Sequence, residues 1–220
     1  MANSPESAEN IRFSNIDTTL KIMDAIDSNE AKSQRAIAKQ AEIALGLANA
    51  YLKRCARKGW IKMRQAPARR YLYYVTPKGF QEKARLTAEY LSNSLGMFRV
   101  ARTQCDNLVA DCMEQGRTRI ALAGAGDLAE IAALSALNET VELVGVIDRT
   151  SNQSRLAGVP IVRSISEVGP VDAVIITDIN SPQATFELLI QNFPECMIFI
   201  PPMLRINTDR RTGFLEEKTE

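Results

Sequence analysis

Between Asn15 and Asp27 the apolar residues Ile16, Leu20, Met23 and Ile26 recur at intervals of three or four, with Ile22 beside them. That period predicts an amphipathic helix. Ser33 is placed to cap a second helix that turns Ile37 and Ala41 inward. A short break at Ile43 to Gly46 precedes a third helix reaching about Lys58. Leu45, Ala48, Leu52 and Cys55 form its expected buried stripe, Leu47, Asn49, Ala50 and Lys53 its outer face, and Gly59 its stop. The period then falls to two. Trp60 to Arg64 and Tyr71 to Val75 alternate and predict two strands, joined by a loop from Gln65 to Arg70. Thr76 and Pro77 suit the N-cap and first position of a further helix.

That helix carries a longer pattern. Ala84, Ala88, Leu91, Leu95, Phe98, Cys105, Val109 and Cys112 follow one another at spacings of four and three, with Arg102 filling the one gap. This is a heptad seam over about four repeats. Two outcomes fit it: a coiled-coil dimer, which we favour, or packing against the protein's own domains.

Beyond the seam the chain alternates strands and helices. The apolar run Arg119 to Ala123 leads into Gly124-Ala125-Gly126-Asp127-Leu128-Ala129, a helical stretch Glu130 to Leu137, and a second apolar run Val141 to Ile147 that ends in Asp148. Val159 to Val162 predicts a short strand, Ile165 to Val168 one helical turn, and Val171 to Thr177 a buried strand. A helix from Pro182 to Asn192 and a strand from Cys196 to Ile200, stopped by Pro201 and Pro202, complete the series. Strand, Gly-x-Gly-x-x-Ala, helix, strand, acid is the order of a dinucleotide-binding unit. Its glycines let the backbone approach a pyrophosphate, which sits on free N–H groups at a helix N-terminus. Asp148 lies where an acid accepts ribose hydroxyls. Ligands of such sheets bind outside the carboxyl ends of the strands, so Gly124, Ala125, Gly126, Asp127, Leu128, Asp148, Arg149, Thr177 and Asp178 are the candidate cofactor-binding residues. The charge of Asp127 opposes a phosphate unless its side chain turns away.

Charge separates the two halves. From Ala31 to Arg85 there are fourteen Lys or Arg and two acidic residues, in a chain of net charge +1, so the remainder is acidic. Helix, helix, turn, helix and a two-stranded wing, with bases on the second helix, the third helix and the wing tip, is the layout of a double-stranded DNA reader. Gln34, Arg35, Leu47, Asn49, Ala50, Lys53, Arg64, Arg69 and Arg70 are the candidate DNA contacts. Asn49 is the one best suited to a base edge, since an amide pairs adenine N6 and N7. A dimer is favoured because such heads read two half-sites through two-fold symmetry.

Composition excludes more than it adds. The chain has 220 residues, 45% of them hydrophobic, enough for two cores. It has no histidine, which removes His-based triads and the commonest metal ligand. The four cysteines show no CxxC spacing and are expected as free thiols. No apolar run approaches the roughly 20 residues of a membrane span. We expect a cytoplasmic, non-enzymatic α/β protein of two domains: a winged helix-turn-helix over residues 1–80, a linker or dimerisation helix over 81–116, a Rossmann-like parallel sheet over 117–204 and a mobile tail over 205–220.

Two resemblances sharpen this. Ile43-Ala44-Leu45-Gly46, Asn49, Leu52-Lys53, Lys58-Gly59-Trp60-Ile61 and Tyr74 to Gly79, followed by Glu82-Lys83-Ala84-Arg85-Leu86-Thr87, resemble MarR-type winged-helix regulators associated with exopolysaccharide gene clusters. Gly124 to Leu128, Val144 to Asp148, Gly158 to Ile161, Val171 to Ile176 and Phe199 to Pro202 resemble the Rossmann domain of the Rex redox-sensing repressors. The same residues are similar to the small nucleotide-sugar-binding domain that precedes some sugar acetyltransferases. The Rex resemblance implies a dimeric transcriptional regulator that senses NAD(H). The others imply a regulator of polysaccharide genes with a nucleotide-sugar effector. A sheet used only for assembly is a further alternative.

Overall fold

The computed structural model describes residues 5–28, 33–66, 70–137 and 139–208, with side chains from residue 12 onward and outside 65–70. The chain forms two compact units, Met1–Gly96 and Met97–Glu220. Among the described residues no helix is long and apolar enough to cross a membrane.

In the first unit, α1 (Pro5–Asp27) begins well before the expected Asn15. Periodicity missed this start because the preceding residues carry little apolar signal, while a proline is tolerated in a first helical turn. Ser33 caps α2 (Gln34–Gln40) by accepting the Ala36 N–H at 3.1 Å. Ile37 and Ala41 face the core, as the spacing requires. Helix α3 (Leu45–Arg57) buries Ala48, Leu52 and Cys55, whereas Leu45, expected in that stripe, is 40% exposed. It sits at the first turn, before the stripe rotates onto the core.

The end of α3 is a Schellman turn. Gly59 adopts φ +74°, its N–H bonds to the Ala56 carbonyl, and the Trp60 N–H bonds to that of Cys55. Strands β1 (Ile61–Ala66) and β2 (Arg70–Val75) then pair antiparallel from Ile61 opposite Val75 to Ala66 opposite Arg70, longer than the alternation alone indicated. Helix α4 (Pro77–Glu114) is locked to this hairpin at its start. The Thr76 hydroxyl accepts the Gly79 N–H at 3.0 Å and donates to the Gly59 carbonyl at 2.7 Å. A Cβ on Gly79 would lie 1.9 Å from the Trp60 carbonyl oxygen, so only glycine permits this contact.

The heptad seam of α4 is split. Cys105, Val109 and Cys112 are buried against the sheet of the second unit, together with Ala101. Leu91, Leu95 and Phe98 remain exposed. Both anticipated outcomes therefore compete for one stripe, and its C-terminal half packs on the protein itself.

The second unit is a six-stranded mixed sheet in the order β5-β6-β4-β3-β7-β8. Strands β3 (Arg119–Ala123), β4 (Glu142–Ile147), β6 (Val159–Val162), β7 (Ala173–Ile176) and β8 (Ile198–Phe199) are mutually parallel, and only β5 (Arg155–Leu156), which periodicity missed, is antiparallel. Ile165–Glu167 is a short 3-10 turn. The chain winds outward from β3 through β4 to β6, then returns to the other side of β3 with β7. Period-two alternation divides β3 between two cores. Ile120 and Leu122 meet α4 and α5 (Asp127–Ala136) on one face, and Ala121 and Ala123 meet Phe186 and Leu189 of α6 (Pro182–Leu189) on the other. Burial pushes the Cys55 and Cys105 thiols up to about 11 and that of Cys112 up to about 12, so these act as small apolar residues, while free Cys196 is exposed.

Candidate nucleic-acid interface and ligand crevice

On the first unit, Leu47, Ala50 and Lys53 stand exposed along one side of α3, with Arg54 and Arg57 beyond them. Arg35 is exposed on α2. Gln34 is half-buried and donates from Nε2 to the Tyr73 hydroxyl at 2.8 Å, which ties α2 to the wing. Asn49 is half-buried too. Its Oδ1 is shut off from solvent with no hydrogen-bond partner among the described residues. An acceptor left so costs about 1–3 kcal/mol.

Arg64 is exposed on β1. Arg69 and the Arg70 side chain lie outside the described residues. The hairpin register adds residues that the sequence did not single out. Lys62 pairs opposite Tyr74, and Arg64 opposite Leu72. Positions two apart on a strand share a face. One face of the wing therefore carries two cations interleaved with Tyr74 and Leu72, all four exposed. Lys58 stacks on the Trp60 ring at 4.5 Å, which fixes the cation at the start of the wing.

On the second unit, the reversal of winding beside β3 leaves a crevice at the carboxyl ends of β3, β4 and β7. It encloses about 740 Å³ and is lined by Gly124, Ala125, Gly126, Asp127, Asp148, Arg149, Thr177 and Asp178. Thr150, Ile179, Asn180, Ser181, Thr185 and Leu188 complete the wall. Thr150, Ile179, Asn180 and Ser181 were not legible as site residues because they sit in loops that carry no fixed spacing; Thr185 and Leu188 lie on α6, whose period does not say which of its turns faces the crevice. Leu128 is the exception among the nine candidates: its side chain is buried in the sheet core. In an α-helix the second residue points away from the turn that precedes the first.

The glycine turn is held by the strands around it. Gly124 adopts φ +108°, and a Cβ there would come within 2.5 Å of the Asp178 Cα and N. The Thr177 hydroxyl donates to the Gly124 carbonyl at 2.6 Å. Gly126 is different. Its backbone is extended, and a Cβ would meet nothing within 4 Å. No side chain caps the first turn of α5 at that point.

The Asp148 carboxylate accepts four hydrogen bonds. Oδ2 accepts the Ala125 N–H at 2.8 Å, and Oδ1 accepts from the Thr150 N–H at 2.7 Å, the Thr150 hydroxyl at 2.8 Å and the Ser151 N–H at 3.0 Å. Burial alone would raise its pKa; these hydrogen bonds outweigh burial and hold it below the ordinary aspartate value. A carboxylate offers about four acceptor sites, two on each oxygen; Oδ1 is filled, whereas Oδ2 accepts the Ala125 N–H and keeps a second site. Asp178 is similarly engaged, accepting from the Asn180 and Ser181 N–H groups and from the Thr185 hydroxyl at 2.7 Å. Asp127 and Arg149 are exposed at the mouth. The lining thus sets three carboxylates against one guanidinium.

Comparison with known proteins bears on the first unit. The family of winged helix-turn-helix DNA-binding domains matches residues 17–62, from the middle of α1 into β1. The chain has no match among curated proteins. With α2 and α3 forming the helix-turn-helix and β1 and β2 the wing, the N-terminal part of this chain is a winged helix-turn-helix DNA-binding domain, joined to an α/β domain with a mixed sheet.

Proposed function

We propose that this protein is a transcriptional regulator whose C-terminal domain senses a nucleotide effector, and that it acts as a homodimer through α4. The DNA-binding domain supports the regulator; the crevice supports the sensor. One observation carries the sensor: an open, uncapped glycine turn at the carboxyl edge of parallel strands whose order supports a Rossmann-like reading. The crevice volume suits a ligand of nucleotide size.

The effector class we infer is NAD(H). The space beside Gly126 and the first turn of α5 fit an approaching pyrophosphate. Asp148 Oδ2 accepts one hydrogen bond from the turn and keeps a second acceptor site for a ribose hydroxyl. Asp127, Asn180 and Ser181 at the rim offer further polar contacts to the sugar. A nucleotide sugar is the second reading, favoured by the hydroxyl and amide groups of Thr150, Asn180 and Ser181 in the wall. In either case the effector shifts DNA binding only if it favours one arrangement of the dimer.

The test is a pair of titrations on the full chain. NAD+, NADH and a UDP-sugar are each titrated calorimetrically, and duplex DNA is titrated with and without the ligand that binds. Binding of one nucleotide together with a changed DNA affinity is the expected result. Absence of any heat with all three ligands, with the DNA affinity intact, leaves a regulator whose sheet serves assembly only.

A further inference from the structure

Charge is divided across the mouth of the crevice. The carboxylates of Asp127 and Asp178 lie beyond β3 and β7. Arg149 lies beyond β4, and Arg163 directly follows β6, the next strand outward. Ile147 pairs with Val162, and the Asp148 N–H bonds to the Val162 carbonyl at 2.9 Å. The backbone of Arg163 is therefore one strand spacing, about 5 Å, from that of Asp148. Arg149 and Arg163 are both exposed, and among the described residues neither makes a hydrogen bond, ion pair or ring contact. Two other arginines of this domain are committed to the fold. Arg155 on β5 donates to the Gly158 carbonyl at 3.0 Å, and Arg119 pairs with Glu142 at 2.6 Å.

We propose that Arg149 and Arg163 form a second anion subsite, which takes a phosphate on the adenosine ribose of a dinucleotide, so that the preferred effector is NADP(H) over NAD(H). This rests on the sensor reading above and narrows it. A dinucleotide whose pyrophosphate lies at the Gly124 to Gly126 turn sets its adenosine ribose beyond the next strand, here β4. A guanidinium in that place accommodates a ribose 2′-phosphate. Its parallel N–H donors match two phosphate oxygens, and two guanidiniums form a clamp. They outnumber the one carboxylate beside them. Oδ1 of that carboxylate, Asp148, is already filled by three donors, and the open site on Oδ2 suits the ribose 3′-hydroxyl. The other side of the mouth fits the same ligand. Across the crevice the cationic nicotinamide of NADP+ falls toward β7, where Asp178 stands.

Calorimetric titration of the full chain with NADP+, NADPH, NAD+ and NADH tests the subsite. Wild type is expected to bind NADP+ at least about ten-fold more tightly than NAD+, the least that one added charge-assisted contact confers. That preference should shrink as salt is raised. Arg163→Ala should bring the two affinities to within about three-fold of each other, while Arg163→Lys, which keeps the charge and loses the fork, should retain part of the preference. Both variants should melt with wild type, because the Arg163 side chain is exposed and unpaired among the described residues. A wild type that binds NAD+ as tightly as NADP+, or a preference that survives Arg163→Ala, overturns the subsite and leaves the sensor standing. A wild type that binds none of the four dinucleotides removes the NAD(H) reading and the subsite together.

Discussion

Alanine at Gly124 and alanine at Gly126, two residues apart, are expected to fail in opposite ways. At Gly124 the φ of +108° lies where side chains other than hydrogen are strained, at a cost of about 1–3 kcal/mol. The added Cβ also lands 2.5 Å from backbone atoms of Asp178. That backbone cannot drift freely, because the Thr177 and Asp178 N–H groups both bond to the Ala123 carbonyl. Overpacking of this kind costs about 1–3 kcal/mol more. Gly124→Ala is therefore expected to lower the melting temperature of the C-terminal domain by on the order of 10 °C.

At Gly126 the backbone is extended and the space is empty. Gly126→Ala should leave stability within about 0.5 kcal/mol, or raise it slightly by restricting the unfolded chain. Its methyl group instead occupies the place where a phosphate would approach, so nucleotide affinity should fall about ten-fold or more. Calorimetric melting of both variants, followed by ligand titration of Gly126→Ala, reads the two effects separately. A Gly124→Ala protein that melts with wild type would refute the account of the turn. A Gly126→Ala protein that binds nucleotide undiminished would refute the account of the crevice.

Three further outcomes are expected. Native protein should yield one fast-reacting thiol toward a disulfide reagent, Cys196, with Cys55, Cys105 and Cys112 reacting only on unfolding; two fast thiols would contradict the burial described. The folded Asp148 pKa is depressed, so its stabilisation is complete above the unfolded value of about 3.9 and is lost as pH falls through the lower folded value. Urea titrations should accordingly show wild type more stable than Asp148→Asn at neutral pH, with the gap closing only below about pH 4; a gap that closes near pH 6 would mean another group is responsible. Replacing Lys62 and Arg64 by alanine should weaken binding to every duplex alike and reduce the salt slope by about one for each phosphate no longer neutralised; an unchanged slope in fluorescence anisotropy would remove this face of the wing from the interface.

The winged helix was legible because its signals are local. Ser33, Gly59, Thr76 and Pro77 each act within a few residues of the backbone they stop or start, and all four perform the expected cap or break. The glycine turn was legible for the same reason. The pairing of Lys62 with Tyr74 was not, since it depends on a register set across a hairpin rather than on spacing along the chain. Asn49 shows a related limit. Helical phase puts it beside the outer face, but phase does not say whether an amide oxygen turns inward, as here. The α4 seam shows the limit of periodicity itself. A heptad pattern states that a stripe will be buried, not by what, and this one is buried by the sheet at Cys105 to Cys112 and left bare from Leu91 to Phe98.

Asp148 shows how a motif residue can carry a structural bond beside the contact its spacing suggests. The spacing after Gly126 assigns it to a ribose, yet its carboxylate joins the end of β4 to the glycine turn by accepting the Ala125 N–H. That bond removes one of the N–H groups a phosphate would otherwise use, and it leaves a fixed negative charge beside the turn. With Asp127 and Asp178 in the same wall, a ligand entering the crevice meets more carboxylate than guanidinium. A doubly anionic pyrophosphate 5–7 Å from such a charge is opposed by roughly 1–3 kcal/mol in a partly solvated site. The free N–H groups of α5 and Arg149 must offset that opposition. An effector that also brings a positive charge or a neutral hydrogen-bonding ring needs less from them. Oxidised NAD+ carries such a charge, NADH brings a neutral carboxamide-bearing ring and a UDP-sugar brings neither, which is the physical basis for ranking NAD+ first. The ranking reverses if a UDP-sugar binds more tightly than NAD+ at low ionic strength, where the opposing carboxylates act most strongly.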